Sequence, residues 1–216
     1  MDFLRPVEAV IPGAQGKLLA VFAETTAGLN VRTASRLSGV SLAQTSRILP
    51  ELATLGVLDR TAVPPSMMYQ LVEENVASRA VRLLARSRDH VLAELGELAT
   101  SVAIPPVSII VFGSFARGEA GPDSDVDVVA VRERYVDANS EWSEGMDQWC
   151  RAARRLTGNE VEMMEVDELD VGSLLRSRRP VWQDIHRDGI VVFGKSLEEL
   201  QSGGPKLRRR VRSAIA

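Results

Sequence analysis

The stretch that decides the fold of the second half of the chain is VSIIVFGSFARGEAGPDSDVDVVAV, residues 107–131. Its first apolar run predicts a buried strand that stops at Gly113-Ser114, where small residues let phosphate oxygens approach the backbone. The next residues predict a short helix, whose N-terminal N–H groups favour an anion. A second strand carries Asp125 and Asp127, and these carboxylates project together because strand side chains alternate between faces.

Two carboxylates held on one strand edge predict a site for a divalent cation, and their hard oxygen ligands suit Mg²⁺. Beside a phosphate-binding turn, they would hold metal ions between a nucleoside triphosphate and an attacking hydroxyl. A Gly-Ser pair followed after ten residues by Asp-x-Asp, between two apolar runs, is far more specific than either motif alone. The stretch therefore predicts a nucleotide site.

This pattern resembles the signature of the DNA polymerase beta nucleotidyltransferase superfamily, and most of all its minimal branch, over residues 105–195. The resemblance includes a late apolar run at residues 190–194. It implies a mixed-sheet fold, Mg²⁺ as cofactor, and ATP or another nucleoside triphosphate as co-substrate. It also implies transfer of a nucleoside monophosphate to an acceptor hydroxyl. We therefore expect an enzyme, a nucleotidyltransferase.

The resemblance implies a third carboxylate on a later strand. The family pattern, an apolar residue, an acid and two apolar residues, matches Val161–Met164 and makes Glu162 the candidate. Glu162 would bind the second metal ion or take the proton from the acceptor hydroxyl. Glu160 lies on the same strand face and is the alternative. Glutamate stands here where the family usually has aspartate, so the carboxylate lies further from the strand.

Binding of the triphosphate is implied for four residues, Gly113, Ser114, Arg117 and Ser124. For Arg117, a surface ion pair with Glu119 or Asp123 is the alternative. The family allows several acceptors: a protein hydroxyl, as in antitoxins that adenylylate a partner toxin, a tRNA end, or an aminoglycoside. The sequence does not choose among them.

The N-terminal third has its own pattern. Residues 30–40 predict a helix that ends at Gly39, because glycine accepts the left-handed conformation that closes a helix. Ser41 is a good N-cap for the next helix, predicted from Leu42 to Leu55. The apolar face predicted for this second helix comprises Leu42, Thr45, Ile48, Leu49, Leu52 and Leu55. Two strands follow, with a loop predicted at residues 61–65.

This part of the chain resembles the winged helix-turn-helix of bacterial transcription regulators, over residues 12–72. In that family the second helix enters the major groove of DNA. The resemblance implies base contacts from Ser41, Ala43, Gln44, Ser46 and Arg47, and phosphate contacts from Arg32, Arg36 and Arg60. A winged helix kept only for protein contacts is the alternative.

Together the patterns predict an α+β protein with two domains. The predicted organisation is a winged helix-turn-helix at residues 1–72, a connector helix at 73–104, a nucleotidyltransferase domain with a mixed sheet at 105–200, and a flexible basic tail at 201–216. The rival hypothesis is a DNA-binding regulator whose second domain senses nucleotide or only dimerises. A homodimer is expected on either hypothesis, since winged-helix regulators commonly bind paired half-sites.

Composition limits the remaining classes. The 216 residues are 45% hydrophobic and 25% charged, which is typical of a globular protein. The single cysteine, Cys150, excludes an internal disulfide, and no signal-like or membrane-length apolar segment is evident. We therefore expect a cytoplasmic protein. Because the net charge is −3, attraction to nucleic acid must come from local patches such as the basic run at residues 206–212.

Overall fold

The computed structural model describes residues 1–136 and 140–202. These residues divide into two compact units, Met1–Val91 with Ala120–Asp123, and Leu92–Glu119 with the residues from Ser124 onward. Of the predicted basic tail at 201–216, all residues after Ser202 lie outside the described residues. None of the helices described is both long enough and apolar enough to cross a membrane.

The first unit combines helices with a small antiparallel sheet, in which the spatial order of the strands is Leu29–Asn30 (β1), Ser66–Leu71 (β3) and Leu58–Val63 (β2). Its core contains a cluster of apolar side chains, of which Leu18, Phe22 and Leu49 are fully buried. In chain order its elements are α1 (Pro6–Val10), α2 (Ala14–Ala23), β1 (Leu29–Asn30), α3 (Val31–Ser38), α4 (Leu42–Thr54), β2 (Leu58–Val63), β3 (Ser66–Leu71), α5 (Val76–Ala85) and the start of α6 (Ser87–Thr100).

The predicted boundary between α3 and α4 is confirmed. α3 ends at Gly39, whose φ of +67° is the left-handed conformation expected there. Ser41 caps α4, because its side chain accepts a hydrogen bond from the Gln44 backbone N–H at 3.3 Å. The two helices are therefore separated by a short turn at the residues that the sequence predicted.

Two predictions for this region were wrong in detail. Leu42 and Leu55 were placed on the buried face of α4, but they are 50% and 67% exposed, because the ends of the helix project beyond the core. The loop predicted at residues 61–65 is also shorter. β2 continues to Val63, which pairs with Ser66, so only Pro64 and Pro65 connect the two strands.

The predicted single connector helix consists of two helices, α5 and α6, separated at Arg86. Arg86 leaves helical geometry, with φ −98° and ψ +18°. The physical cause is visible in the pattern: the seven positions from Ala85 to Val91 contain the polar run Arg86–His90, which offers no apolar side chain to continue the buried stripe.

The second unit contains a four-stranded mixed sheet, in which the spatial order of the strands is Val161–Asp167 (β6), Val126–Arg132 (β5), Ser108–Phe112 (β4) and Ile190–Gly194 (β7). β5 pairs with β6 in parallel, and the other two pairs are antiparallel, which confirms the predicted mixed sheet. After α6, its elements are β4 (Ser108–Phe112), α7 (Gly113–Arg117), β5 (Val126–Arg132), α8 (Ser140–Thr157), β6 (Val161–Asp167), α9 (Glu168–Leu175), α10 (Pro180–Asp188), β7 (Ile190–Gly194) and α11 (Leu197–Ser202).

Helices cover both faces of this sheet. On one face, Val129 and Val131 pack with buried residues of α9, α10 and α11. On the other, Ala130 packs against Trp142 and Met146 of α8. The parallel pair β5–β6 requires a crossover, which α8 supplies. Because the middle of β5 is buried, polar side chains can stand only near its ends.

Candidate active site

Gly113 and Asp127 form the closest contact of the predicted site. Gly113 follows the last residue of β4 and begins α7, with φ +68°, in the region that favours glycine. A Cβ atom at Gly113 would lie 2.1 Å from Asp127 Oδ2 and 3.0 Å from its Cγ. Glycine is therefore required twice, once by the backbone conformation and once by the carboxylate beside it.

Asp127 and Glu162 are aligned across two neighbouring strands. The parallel register of β5 and β6 pairs these two residues. Next along the strands come Val129 opposite Met164, and both belong to the apolar cluster on that face. Since side chains alternate, the two carboxylates lie at one end of a face that is otherwise apolar.

Asp125 differs from the prediction that the second strand carries it. It lies immediately before β5 and is exposed, whereas Asp127 is within the strand and half-buried. Val126 between them is fully buried. The pKa of Asp127 is raised above its ordinary value, first because burial disfavours the charged form and then because of the negative charges of Glu162 and Asp125. A cation bound here would relieve that repulsion.

The donor chemistry fits a hard divalent cation, although a complete metal centre is not preformed. Among residues 1–136 and 140–202, no group of three His, Cys, Asp or Glu side chains is arranged to hold a metal ion. Asp125, Asp127 and Glu162 nevertheless offer only carboxylate oxygens, which Mg²⁺ prefers. Gly113 keeps the space beside Asp127 free of side-chain atoms.

Glu160, the alternative third carboxylate, has a different environment. It precedes β6, and its carboxylate forms an ion pair with Arg154 at 2.5 Å. Its backbone carbonyl accepts a hydrogen bond from the Val126 N–H at 2.8 Å. The structure thus aligns Glu162 with Asp127 and engages Glu160 with α8.

Three of the four residues predicted to bind the triphosphate, Gly113, Ser114 and Arg117, lie in α7, and the fourth, Ser124, lies in the loop before β5. Ser114 is half-buried in the first turn of α7. Arg117 ends the helix, and its Nε donates to Glu119 Oε2 at 2.8 Å, while its Nη1 lies 3.8 Å from Asp188 Oδ2. The ion pair with Glu119 that was considered as an alternative is therefore present. Ser124 is half-buried immediately before Asp125.

One residue near the site was not singled out by the sequence. Asn159 is 4% exposed, and its Nδ2 donates to the Ser124 carbonyl at 2.8 Å. Asparagine after glycine usually indicates a surface turn, so the Gly158-Asn159 pair gave no signal of a buried contact.

The residues predicted to contact DNA all lie on the surface of the first unit. Every one of them is exposed: Arg32, Arg36, Ser41, Ala43, Gln44, Ser46, Arg47 and Arg60. Two open cavities flank the start of α3 and share Val31 and Arg32. One, of about 520 Å³, is also lined by the Pro65–Met67 end of the β2–β3 hairpin. The other, of about 560 Å³, is also lined by Leu42, Ala43 and Ser46.

Comparison with known proteins shows what the second unit is similar to. Residues 92–194 match the family described as the nucleotidyltransferase domain. Gly113, Asp127 and Glu162 lie within the matched residues. No curated protein sequence matches the chain.

Three solved structures are similar to about half of the chain. One is a crystal structure of a toxin–antitoxin with AMP-PNP, at 16% identity over 49% of this chain and 77% of that one, with a TM-score of 0.35. Another is a mutant of the toxin–antitoxin MntA-HpeT, at 13% identity over 51% and 80%, with a TM-score of 0.36. The third is described as a nucleotidyltransferase from Sulfolobus solfataricus, at 22% identity over 49% and 82%, with a TM-score of 0.28.

Proposed function

We propose that the second unit transfers a nucleoside monophosphate from ATP or another nucleoside triphosphate to an acceptor hydroxyl, in a Mg²⁺-dependent reaction. One observation carries the proposal: a glycine turn, Gly113, lies directly against a carboxylate, Asp127, that is aligned with a second carboxylate, Glu162. The match of residues 92–194 to the nucleotidyltransferase domain supports it.

The phosphate side of the site is assigned to Gly113, Ser114, Arg117 and Ser124. The open space at Gly113 lets phosphate oxygens approach the backbone. Arg117 is 36% exposed and pairs with Glu119, which is 62% exposed. Ion pairs between exposed side chains are weak because water screens both charges, so a triphosphate can replace Glu119 as the partner of Arg117.

Asp125, Asp127 and Glu162 would hold the divalent cation. When bound, Mg²⁺ would neutralise phosphate charge and organise the in-line arrangement of the reacting groups. The acceptor oxygen forms a bond to the α-phosphorus as the bond to the pyrophosphate oxygen breaks. Glu162 would accept the hydroxyl proton, and pyrophosphate leaves. In the alternative role Glu162 would hold a second cation, and the hydroxyl proton would pass to solvent water. Positioning and charge neutralisation supply most of the rate enhancement.

Calorimetric titration with a non-hydrolysable ATP analogue, with and without Mg²⁺, tests this proposal. We expect Mg²⁺-dependent binding to the wild type and none to the Asp125→Ala/Asp127→Ala double variant. Glu160→Gln is the matched control, since it removes a neighbouring charge that pairs with Arg154. Absence of binding to the wild type with any of the four nucleotides would overturn the assignment.

The acceptor is a separate proposal with three candidate classes: a hydroxyl of a partner protein, as for an antitoxin that modifies its toxin, a tRNA end, and an aminoglycoside. Incubation with α-phosphate-labelled ATP and each class in turn distinguishes them. Label that appears on an acceptor with wild-type protein, but not with the double variant, identifies the class.

A second candidate function is DNA binding by the first unit, with the second unit sensing nucleotide or dimerising. The favouring observation is the exposed surface on which Arg32 lines both cavities, one reaching the β2–β3 hairpin and the other α4. None of Arg32, Arg36, Arg47 and Arg60 forms an ion pair with any residue that the structure describes, so all four are available for phosphates.

Anisotropy titrations with labelled duplex DNA at several salt concentrations test this candidate. Arg47→Ala is expected to weaken binding and to reduce the slope of log K against log salt by about one. Specific binding that is unchanged by Asp127→Ala, in a protein without transfer activity, would favour the regulator over the enzyme. Salt-independent or absent binding would favour a winged helix used for protein contacts.

A further inference from the structure

Asn159 has no role in the site described above, yet its carboxamide is nearly enclosed. The side chain is 4% exposed, and Nδ2 donates to the Ser124 carbonyl at 2.8 Å. The two residues are 35 positions apart in the chain. Because a buried amide without a partner is costly, this bond fixes the turn before β6 to the loop before β5.

The two contacts of this turn bracket Asp125. On one side Asn159 holds the Ser124 carbonyl, and on the other the Glu160 carbonyl accepts the Val126 N–H at 2.8 Å. Asp125 itself precedes the first residue of β5 and therefore lies outside the strand. The hydrogen bond from Asn159 thus holds the backbone of Ser124, the residue before Asp125, while β5 begins at the residue after it.

Asn159 is itself held from the core. α8 ends at Thr157, and Gly158 turns the chain with φ +72°. The Asn159 N–H donates to Thr157 Oγ1 at 3.2 Å, and Thr157, which is 2% exposed, donates from the same hydroxyl to the Ala153 carbonyl at 2.9 Å. The backbone of Asn159 is therefore held by a buried helix end.

We propose that Asn159 is a positioning residue, which fixes the backbone of Asp125 so that Asp125 and Asp127 meet a divalent cation together with Glu162. The consequence for cation binding rests on the proposed function, whereas the effect on the loop does not. If the loop is already ordered in the free protein, cation binding does not have to offset the conformational entropy that the loop would lose. The affinity for the cation is then higher although no ligand is added.

Asn159→Asp is the direct test, because it keeps the shape and replaces the Nδ2 donor by a carboxylate oxygen that repels the Ser124 carbonyl. Thr157→Val is a milder variant, which leaves the carboxamide in place and removes the hydroxyl that binds the Asn159 N–H and the Ala153 carbonyl. It serves if the first variant does not fold. Ser108→Ala is the matched control. Ser108 is fully buried in the same unit, and its Oγ donates to the Phe193 and Lys195 carbonyls at 3.1 and 3.0 Å.

Two measurements on the full-length protein decide the question. Hydrogen exchange followed by mass spectrometry should show roughly tenfold faster exchange around Val126 in Asn159→Asp, a smaller increase in Thr157→Val, and no change there in Ser108→Ala. Mn²⁺ titration followed by electron paramagnetic resonance should show roughly tenfold weaker binding in Asn159→Asp and wild-type affinity in Ser108→Ala.

Each outcome has one meaning. Unchanged exchange near Val126 overturns the proposal, and so does faster exchange with unchanged Mn²⁺ affinity. Equal loss of Mn²⁺ affinity in Ser108→Ala also overturns it, since the effect would then follow general destabilisation. A wild type that binds no Mn²⁺ overturns the proposed function, and the exchange data separate that failure from a failure of the Asn159 contact itself.

Discussion

Gly113→Ala adds one methyl group where β4 turns into α7, against the carboxylate of Asp127. The added Cβ would lie 2.1 Å from Oδ2, whereas an ordinary contact needs 3.4 Å or more. Asp127 must therefore withdraw by about 1 Å, a displacement that can cost about a hundredfold in catalytic rate. The φ of +68° adds a backbone cost of about 1–2 kcal/mol for any residue with a Cβ.

Gly39→Ala separates these two effects. Gly39 has φ +67°, and a Cβ there would meet no atom within 4 Å, so this variant carries the backbone cost without a clash. We expect similar losses of stability in thermal unfolding, but loss of Mg²⁺-dependent nucleotide binding and of transfer only in Gly113→Ala. If Gly113→Ala binds the nucleotide analogue like the wild type, the contact between Gly113 and Asp127 does not define the site.

Three further predictions concern single residues. Glu162→Gln should lower the rate of nucleotidyl transfer by about a hundredfold, because a proton acceptor or cation ligand is lost. Glu160→Gln should keep a transfer rate near that of the wild type in the same assay. The reverse result would exchange the roles of the two residues. Burial raises the pKa of the Cys150 thiol from 9.0 to about 11. At pH 8, alkylation by iodoacetamide should therefore be about a hundredfold slower in the native than in the unfolded protein, and the native rate should rise until pH 11. Equal rates in the two states would mean that the thiol is accessible and its pKa is not raised. Ser41→Ala removes the cap of α4 and should lower the free energy of unfolding by about 1 kcal/mol in urea titrations. Ser46→Ala, on the exposed face within the same helix, should change the free energy of unfolding less.

The sequence predicted the parts of the fold that depend on local rules. Gly39 and Ser41 set a helix end and a helix start through their own backbone and hydroxyl chemistry, and both are confirmed. The strand that stops before Gly113 follows from the apolar run Ile109–Phe112, because a strand covered on both faces is rich in apolar residues at successive positions.

The remaining features depend on contacts between distant residues. Leu42 and Leu55 have the right period for a buried face, yet the core is shorter than α4 and leaves both ends uncovered. The alignment of Asp127 with Glu162 requires the register of β5 and β6, which no local signal encodes. The bond from Asn159 to Ser124 spans 35 positions, and nothing in either neighbourhood announces it.

The last part of α6 determines where the second unit can be cut when it is moved as a module. A Cβ at Gly96 would lie 2.1 Å from the Val192 carbonyl, so this helix rests on the backbone of β7 itself, and the Leu95 carbonyl accepts a hydrogen bond from Trp149 Nε1 at 3.2 Å. Leu95 and Ala99 are completely buried. A transplanted unit that began at the first strand would leave β7 bare and Trp149 without its acceptor. A fusion that joins the second unit to another protein must therefore begin at Leu92 or earlier. Only the residues before Leu92 can be replaced.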